Sequence, residues 1–353
     1  MSLHHHIMKR VKSLFILLFL LLSAEVFASS PWLPESLGSR FFYRYVEQPD
    51  DYHGKVRCTI IRSLASDSVR SDKAVLYIHG FNDYFFQKEM ADSFTTAGYD
   101  FYAVDLRRYG RSILKERRPF EVRSLKEYFP DIDSALAEIQ SSGNRPDITL
   151  MGHSTGGLIA AYYLQQCPDA PVCNLVLNSP FLDWNLARIE WLVPVVSAIG
   201  AIFPDLPISQ GASTVYSESL DSLFHGEWSF NRAWKMHHSP DVTAGWVRAI
   251  DLAQRSLRNH PGEIKVPVLL MYSGSSYHGE KWNRCASRSD AVLDVNDIKT
   301  IGATLGPKVT RIKVNGGLHD LFLSSLSVRT ALFDYVFNWI SLHDRTKPHT
   351  PAL

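Results

Sequence analysis

Leu150-Met151-Gly152-His153-Ser154-Thr155-Gly156-Gly157 links a short apolar run, Asp147 to Met151, to a helix-like run, Leu158 to Leu164. A serine flanked by glycines at a strand-to-helix junction is the pattern of a nucleophile elbow. The turn is tight and strained, and Gly152 and Gly156 leave room for neighbouring backbone. Ser154 is therefore expected to stand exposed above a sheet. A glycine-rich turn with an ordinary surface serine is the alternative, and partners for Ser154 decide between them.

Outward from that stretch, strand-like and helix-like runs alternate. Phe41 to Val46 and Val56 to Leu64 alternate apolar and polar residues, as antiparallel edge strands do. Ala74 to His79, Tyr99 to Leu106, Cys173 to Asn178 and Val266 to Tyr272 are nearly all apolar, as strands covered on both faces should be. Phe85 to Ala97 has helical spacing with Gly98 as a fitting C-cap. Leu125, Phe129, Ile132, Leu136 and Ile139 recur at spacings of three and four, and Pro130 places that helix start nearby. Asn296 to Leu305 and Ser324 to Leu342 read as helices, and Val309 to Val314 as a strand between them. The alternation predicts an α/β fold whose mostly parallel sheet carries helices on both faces. Residues 181–265 break it with five tryptophans, scattered prolines and no clear strand, which predicts a helical lid. The core is then expected over 29–180 and 266–353.

The 353 residues are 45% hydrophobic and 21% charged, enough for a large core. A net charge of +1 argues against a nucleic-acid binder, which would carry a basic field. Lys9, Arg10 and Lys12 precede the apolar run Leu14 to Leu22, and Val26-Phe27-Ala28 ends on a small residue. Residues 1–28 thus read as a signal peptide cut after Ala28, with an uncleaved anchor as the alternative. Residues 1–7 precede a second candidate start at Met8 and lie outside the fold reading. Export to a periplasmic or extracellular space would permit disulfides. Cys167 and Cys173 bracket the turn-forming Pro168 to Pro171 and are the expected bridge, leaving Cys58 with Cys285; four thiols are the alternative. Their spacing fits no zinc site, and no cofactor or metal is expected.

A serine hydroxyl is a weak nucleophile and needs a base, oriented in turn by an acid. Behind such an elbow the chain order is Ser, then Asp or Glu, then His. His319, in Gly316-Gly317-Leu318-His319-Asp320, follows the last predicted strand and is the expected base. His79, His153, His237, His238 and His278 are competitors, of which His79 comes too early and His153 adjoins the nucleophile. Ser273 to Ser276, where the acid should follow its strand, holds no carboxylate. Of Glu280, Asp290, Asp294 and Asp297, Asp290 is the expected acid, with residues 277–289 inserted before it. Asp294 is the runner-up, and either aspartate could instead cap the helix at Val295. The oxyanion should meet the backbone N–H groups of Thr155 and Phe81.

His79-Gly80-Phe81, Asp105-Leu106-Arg107-Arg108-Tyr109-Gly110-Arg111-Ser112, Gly152 to Gly157, Asp290 to Asp294 and Gly317-Leu318-His319 together resemble the α/β-hydrolase family. Within it they are most similar to the lysophospholipase and monoacylglycerol lipase branch, with its D-x-x-G-x-G-x-S and G-H-S-x-G-G runs. The match covers about Asp72 to Asn178 and Val266 to Leu342. The resemblance implies a carboxylic ester hydrolase acting on lipid-like acyl substrates, and a lid making transient contact with a membrane surface. Two other readings fit the same residues: a peptidase, thioesterase or acyltransferase on one triad, and a non-catalytic hydrolase fold used for binding.

Overall fold

Ala74, Val75, Leu76, Tyr77 and Ile78 are completely buried in the computed structural model, at the centre of a nine-stranded sheet. The structure describes residues 30–115, 117–142, 147–209, 211 and 213–343, of which those from Trp32 onward gather into one compact unit. The leader expected over residues 1–28 lies outside them. The strands are β1 (Leu33–Pro34), β2 (Phe41–Asp51), β3 (Gly54–Ser63), β4 (Lys73–Ile78), β5 (Asp100–Asp105), β6 (Asp147–His153), β7 (Asn174–Asn178), β10 (Val268–Ser273) and β11 (Val309–Val314), with a separate pair, β8 (Pro207–Ile208) and β9 (Val242–Thr243). Their order in the large sheet is β1-β2-β3-β5-β4-β6-β7-β10-β11. The first three pairings are antiparallel, and every pairing from β5 onward is parallel.

Successive strand side chains face opposite ways. Ala74, Leu76 and Ile78 join one apolar layer, and Val75 and Tyr77 the other. The first layer is closed by α2 (Phe129–Ser141), α3 (Thr155–Gln166), α6 (Ala244–Asn259) and α7 (Val295–Gly302); the second by α1 (Lys88–Thr96) and α8 (Leu326–Leu342). Both faces of the sheet are therefore dry, which is why its central strands carry no polar alternation.

Local chemistry sets the helix ends. Ser124 and Glu127 form a capping box on a 3₁₀ turn, Leu125–Tyr128, that leads into α2 with Pro130 in its first turn. Past α1, Gly98 takes φ 89°, and a Cβ there would lie 2.3 Å from the Val69 carbonyl oxygen.

The stretch expected to be one helical lid divides in two. A 3₁₀ turn (Ala187–Leu192), α4 (Val193–Gly200) and α5 (Val215–Leu220) join irregular chain and the β8–β9 pair. Helix α6, in contrast, packs on α3, and its Trp246, Ile250, Ala253 and Leu257 enter the main core. Their spacings of four, three and four residues form one apolar stripe.

The cysteine expectation is corrected: all four carry thiols. The loop after α3 closes through backbone bonds instead, Ala170 N–H to Cys167 O at 3.1 Å and Val172 N–H to Ala170 O at 2.7 Å. The Cys173 sulfur faces Asp147 Oδ1 at 3.3 Å. Cys58 is buried on β3 while Cys285 is exposed, so the second pairing is also unmade.

Candidate active site

Strands β4, β6, β7, β10 and β11 run parallel, so the loops after them collect at one edge, where ligands bind in open α/β sheets. Ser154 follows β6 there with φ 53° and ψ −119°, a conformation rare for a residue with a side chain. Such strain costs about 1–3 kcal/mol and persists only where the surroundings over-determine it. Here they do. A Cβ on Gly152 would lie 2.5 Å from Gly156 O, one on Gly156 2.3 Å from His79 O, and one on Gly157 2.8 Å from the Pro180 side chain. The Ser154 N–H donates to Asn178 O at 3.0 Å, and its carbonyl accepts from Phe181 N–H at 3.0 Å and Leu158 N–H at 3.1 Å.

The structure brings three of the sequence-predicted residues into one hydrogen-bonded line. Ser154 Oγ lies 2.9 Å from His319 Nε2, and His319 Nδ1 lies 2.8 Å from Asp290 Oδ2. Ser154 is 8% exposed, His319 2% and Asp290 0%, so the line is shielded from bulk water except at the serine. The other carboxylate oxygen, Asp290 Oδ1, accepts the N–H groups of Val292 and Leu293, each at 2.8 Å. An ionised carboxylate only accepts, so His319 donates from Nδ1 and leaves Nε2 to accept the serine proton.

Asp294, the runner-up, is elsewhere: its Oδ1 accepts from Asn296 N–H at 2.8 Å and caps α7. The insertion before Asp290 returns to the sheet through a bridge between Ser276 and Asp290, closed by Tyr277 N–H to Asp290 O at 2.6 Å. The turn after β4 runs directly beside the serine. A Cβ on Gly80 would meet Ser154 Cβ at 3.1 Å. His79 is spent on that turn: its Nε2 accepts from Leu106 N–H at 3.1 Å, so Nδ1 donates to Gly80 O at 2.8 Å. Phe81 follows, its ring against Phe120 and Trp246, while Thr155 opens α3.

The same turn is fastened by the D-x-x-G-x-G-x-S-like run. Asp105 Oδ1 accepts Phe85 N–H at 2.9 Å, and Oδ2 accepts Arg111 N–H at 3.0 Å and its guanidinium at 2.7 Å. Gly110 sits at φ 46°, where a Cβ would be 2.5 Å from Asp105 Oδ2.

Sequence reasoning passed over Asn178, Asp320 and Tyr216. Asn178 was read only as the end of a buried strand, yet a polar residue ending the run Leu175-Val176-Leu177 at the ligand edge was the available signal. Tyr216, on α5, sets its ring edge-on to His319 with centroids 5.2 Å apart. The His153 ring also lies 4.9 Å from that of His319. Burial lowers the His153 pKa to about 4, opposed by Asp320.

Away from this edge, His53, Glu121 and Asp205 bring ligand atoms within 4.8 Å of one another. Arg108 binds Glu121 at 3.1 Å and Arg123 binds Asp205 at 2.8 Å, so guanidinium groups already compensate both carboxylates.

Several known proteins are similar to this chain. The model of a family described as serine aminopeptidase, S33, matches residues 70–277. Phospholipase YtpA of Bacillus subtilis (strain 168) is 22% identical over 202 residues, 57% of this chain and 74% of that protein. Among solved structures, a soluble variant of monoglyceride lipase from Saccharomyces cerevisiae, in complex with a substrate analogue, is similar at TM-score 0.61 and 16% identity, covering 86% of this chain and 96% of that one. The monoacylglycerol lipase of Paleococcus ferrophilus is similar at TM-score 0.59 and 17% identity, covering 86% and 99%. These structural likenesses show the α/β-hydrolase fold.

Proposed function

The chain belongs to the serine aminopeptidase S33 family of α/β-hydrolases, and we propose that it hydrolyses carboxylic esters of lipid-like acyl chains, of lysophospholipid or monoacylglycerol type. The observation that carries this reading is the line Ser154 Oγ–His319 Nε2, His319 Nδ1–Asp290 Oδ2, at 2.9 and 2.8 Å, with the serine held at φ 53°. Ser154 attacks the acyl carbonyl while His319 accepts its proton. Asp290 holds the imidazole and steadies the positive charge that develops on it. The N–H groups of Phe81 and Thr155 stabilise the oxyanion, aided by the positive end of α3. His319 then protonates the leaving alcohol, and water, deprotonated by the same histidine, releases the acid.

The lipid-like class is supported by the named activities of the relatives and by the surface of the inserted region. Trp191, Val195, Ile199 and Ile202 recur at spacings of four, four and three residues and stay exposed, Trp191 at 69% and Ile202 at 73%, with Phe203 beside them. An exposed apolar row of this kind suits transient contact with a lipid surface. Export rests on the sequence of residues 1–28, and N-terminal sequencing of protein recovered outside the cytoplasm should begin at Ser29.

The test is a fluorophosphonate probe followed by p-nitrophenyl esters of rising chain length. Wild type should label and Ser154→Ala should not; equal labelling removes Ser154 from its role. Turnover should rise with acyl length, and no ester cleavage at any length would sink the ester reading. The family description favours one second reading, a peptidase, for which aminoacyl p-nitroanilides are the discriminating substrates.

A further inference from the structure

We propose that residues 231–236 of the inserted region form a fixed clamp on the turn that carries Phe81, with Asn82 and Lys235 as positioning residues for the reaction. This rests on the reading of Ser154 as nucleophile and Phe81 N–H as an oxyanion donor.

Nearly every residue of the turn after Phe81 is gripped from the inserted region. Asn82 has φ 49°, and its side-chain amide forms a reciprocal pair with one backbone unit: Nδ2 donates to Met236 O and Oδ1 accepts from Met236 N–H, both at 2.8 Å. Asp83 Oδ1 meets Lys235 Nζ at 2.9 Å, with side chains only 2% and 8% exposed. The Tyr84 hydroxyl accepts from Asn231 N–H at 2.7 Å, and its ring packs edge-on to Trp234. Phe86 packs on Phe230. From the opposite side, Asp105 and Arg111 bind the backbone of Phe85.

A plain cover over a pocket would be met by apolar packing alone. A buried ion pair adds little net stability over an apolar substitute, and its better-attested use is to set register. A left-handed asparagine next to the oxyanion donor is backbone strain at a functional position. Together they fix where the Phe81 N–H points. The Lys235 ammonium also lies 5.7 Å from the centroid of Tyr216, whose ring edge meets His319. The clamp is therefore linked, through Tyr216, to the histidine of the reacting centre as well as to the Phe81 turn.

The test compares Asn82→Gly, Lys235→Met and Lys235→Arg with wild type on a soluble p-nitrophenyl ester. Inhibition by a trifluoromethyl ketone, whose serine adduct carries an oxyanion, is measured in parallel. Glycine accepts the backbone angle of Asn82, so Asn82→Gly removes the clasp without adding strain. Asn82→Gly and Lys235→Met should lower kcat by about 10- to 100-fold with KM changed less than about twofold, because a misplaced donor acts in the transition state. Ketone affinity should fall by the same factor as kcat/KM, and Lys235→Arg should recover much of both. Unchanged kcat and ketone affinity, or a rise in KM alone, would overturn the clamp. If Lys235→Met does not fold, Asn82→Gly decides, since it leaves no buried charge. A wild type that neither labels with fluorophosphonate nor turns over any ester refutes the site reading itself; an active wild type with indifferent variants refutes only the clamp.

Discussion

Asn178 Nδ2 donates to Asp320 Oδ1 at 2.8 Å across 142 residues of chain, and this bond fastens the loop of His319 to the strand that supports Ser154. Asn178 Oδ1 accepts Leu321 N–H at 3.1 Å, and its backbone carbonyl accepts Ser154 N–H at 3.0 Å. One residue thus holds the turn of the serine and the loop of the histidine. Asp320 is fully buried, and Gln87 Nε2 contacts its other oxygen at 3.3 Å.

Asn178→Leu should leave Asp320 short of a donor in the interior, at about 1–3 kcal/mol of stability. Because the same change frees the loop of His319, kcat should fall at least about tenfold, in line with the sensitivity of reacting groups to small displacements. Urea unfolding and ester turnover read the two effects separately, and an unchanged kcat would show that the histidine loop is held without Asn178.

The two aspartates that follow the inserted loop should separate cleanly. Asp290→Asn removes the acceptor that selects the His319 tautomer and should lower kcat by about 10⁴-fold. Asp294→Asn keeps a competent helix cap and should leave both turnover and stability near wild type, while Asp294→Ala should cost about 1 kcal/mol without loss of turnover. A turnover defect confined to the Asp294 variants would reverse the assignment.

Acid should destabilise this protein through His153. An unfolded histidine titrates near its ordinary 6.5, whereas the buried ring titrates at about 4, chiefly because burial disfavours its charged form. Between those values the unfolded chain binds more protons, so stability is intact above pH 6.5 and falls as pH drops toward 4, by about 3 kcal/mol over the window. His79 is shifted down for the same reason and adds to the slope. His153→Gln should flatten the fall of urea midpoint between pH 6.5 and 4. An identical slope in that variant would exclude His153 as its source.

Four thiols predict indifference to reductant. Dithiothreitol should leave Tm unchanged, and iodoacetamide mass mapping should modify exposed Cys285 in the native state and Cys58 only after unfolding. A Tm drop on reduction, with Cys167 and Cys173 protected from alkylation beforehand, would restore the bridge.

Much of this architecture was readable residue by residue. The apolar runs at Ala74 to His79 and Cys173 to Asn178 announced strands covered on both faces, because no polar alternation interrupts them. Ser154 and His319 were readable from position, one between glycines at a strand–helix junction, the other just past the last strand. The inserted region was harder. Its tryptophans do several jobs: Trp246 enters the core, Trp191 faces solvent and Trp234 packs on Tyr84. Composition alone cannot sort those roles. Cysteine spacing misled because a turn-forming loop is also closed by two ordinary backbone bonds.

By itself, then, the sequence determined the alternation of strands and helices, the elbow around Ser154 and the segment from which a histidine would come. Each is a matter of local periodicity or of which residues a tight turn admits. Only the tertiary structure decided that Asp290 faces His319 while Asp294 caps a helix, that Asn178 joins the two loops, and that Asn82 and Asp83 are gripped from residues more than 150 positions away. Those outcomes depend on where separate loops return to the edge of the sheet, which the packing of the sheet and its covering helices sets.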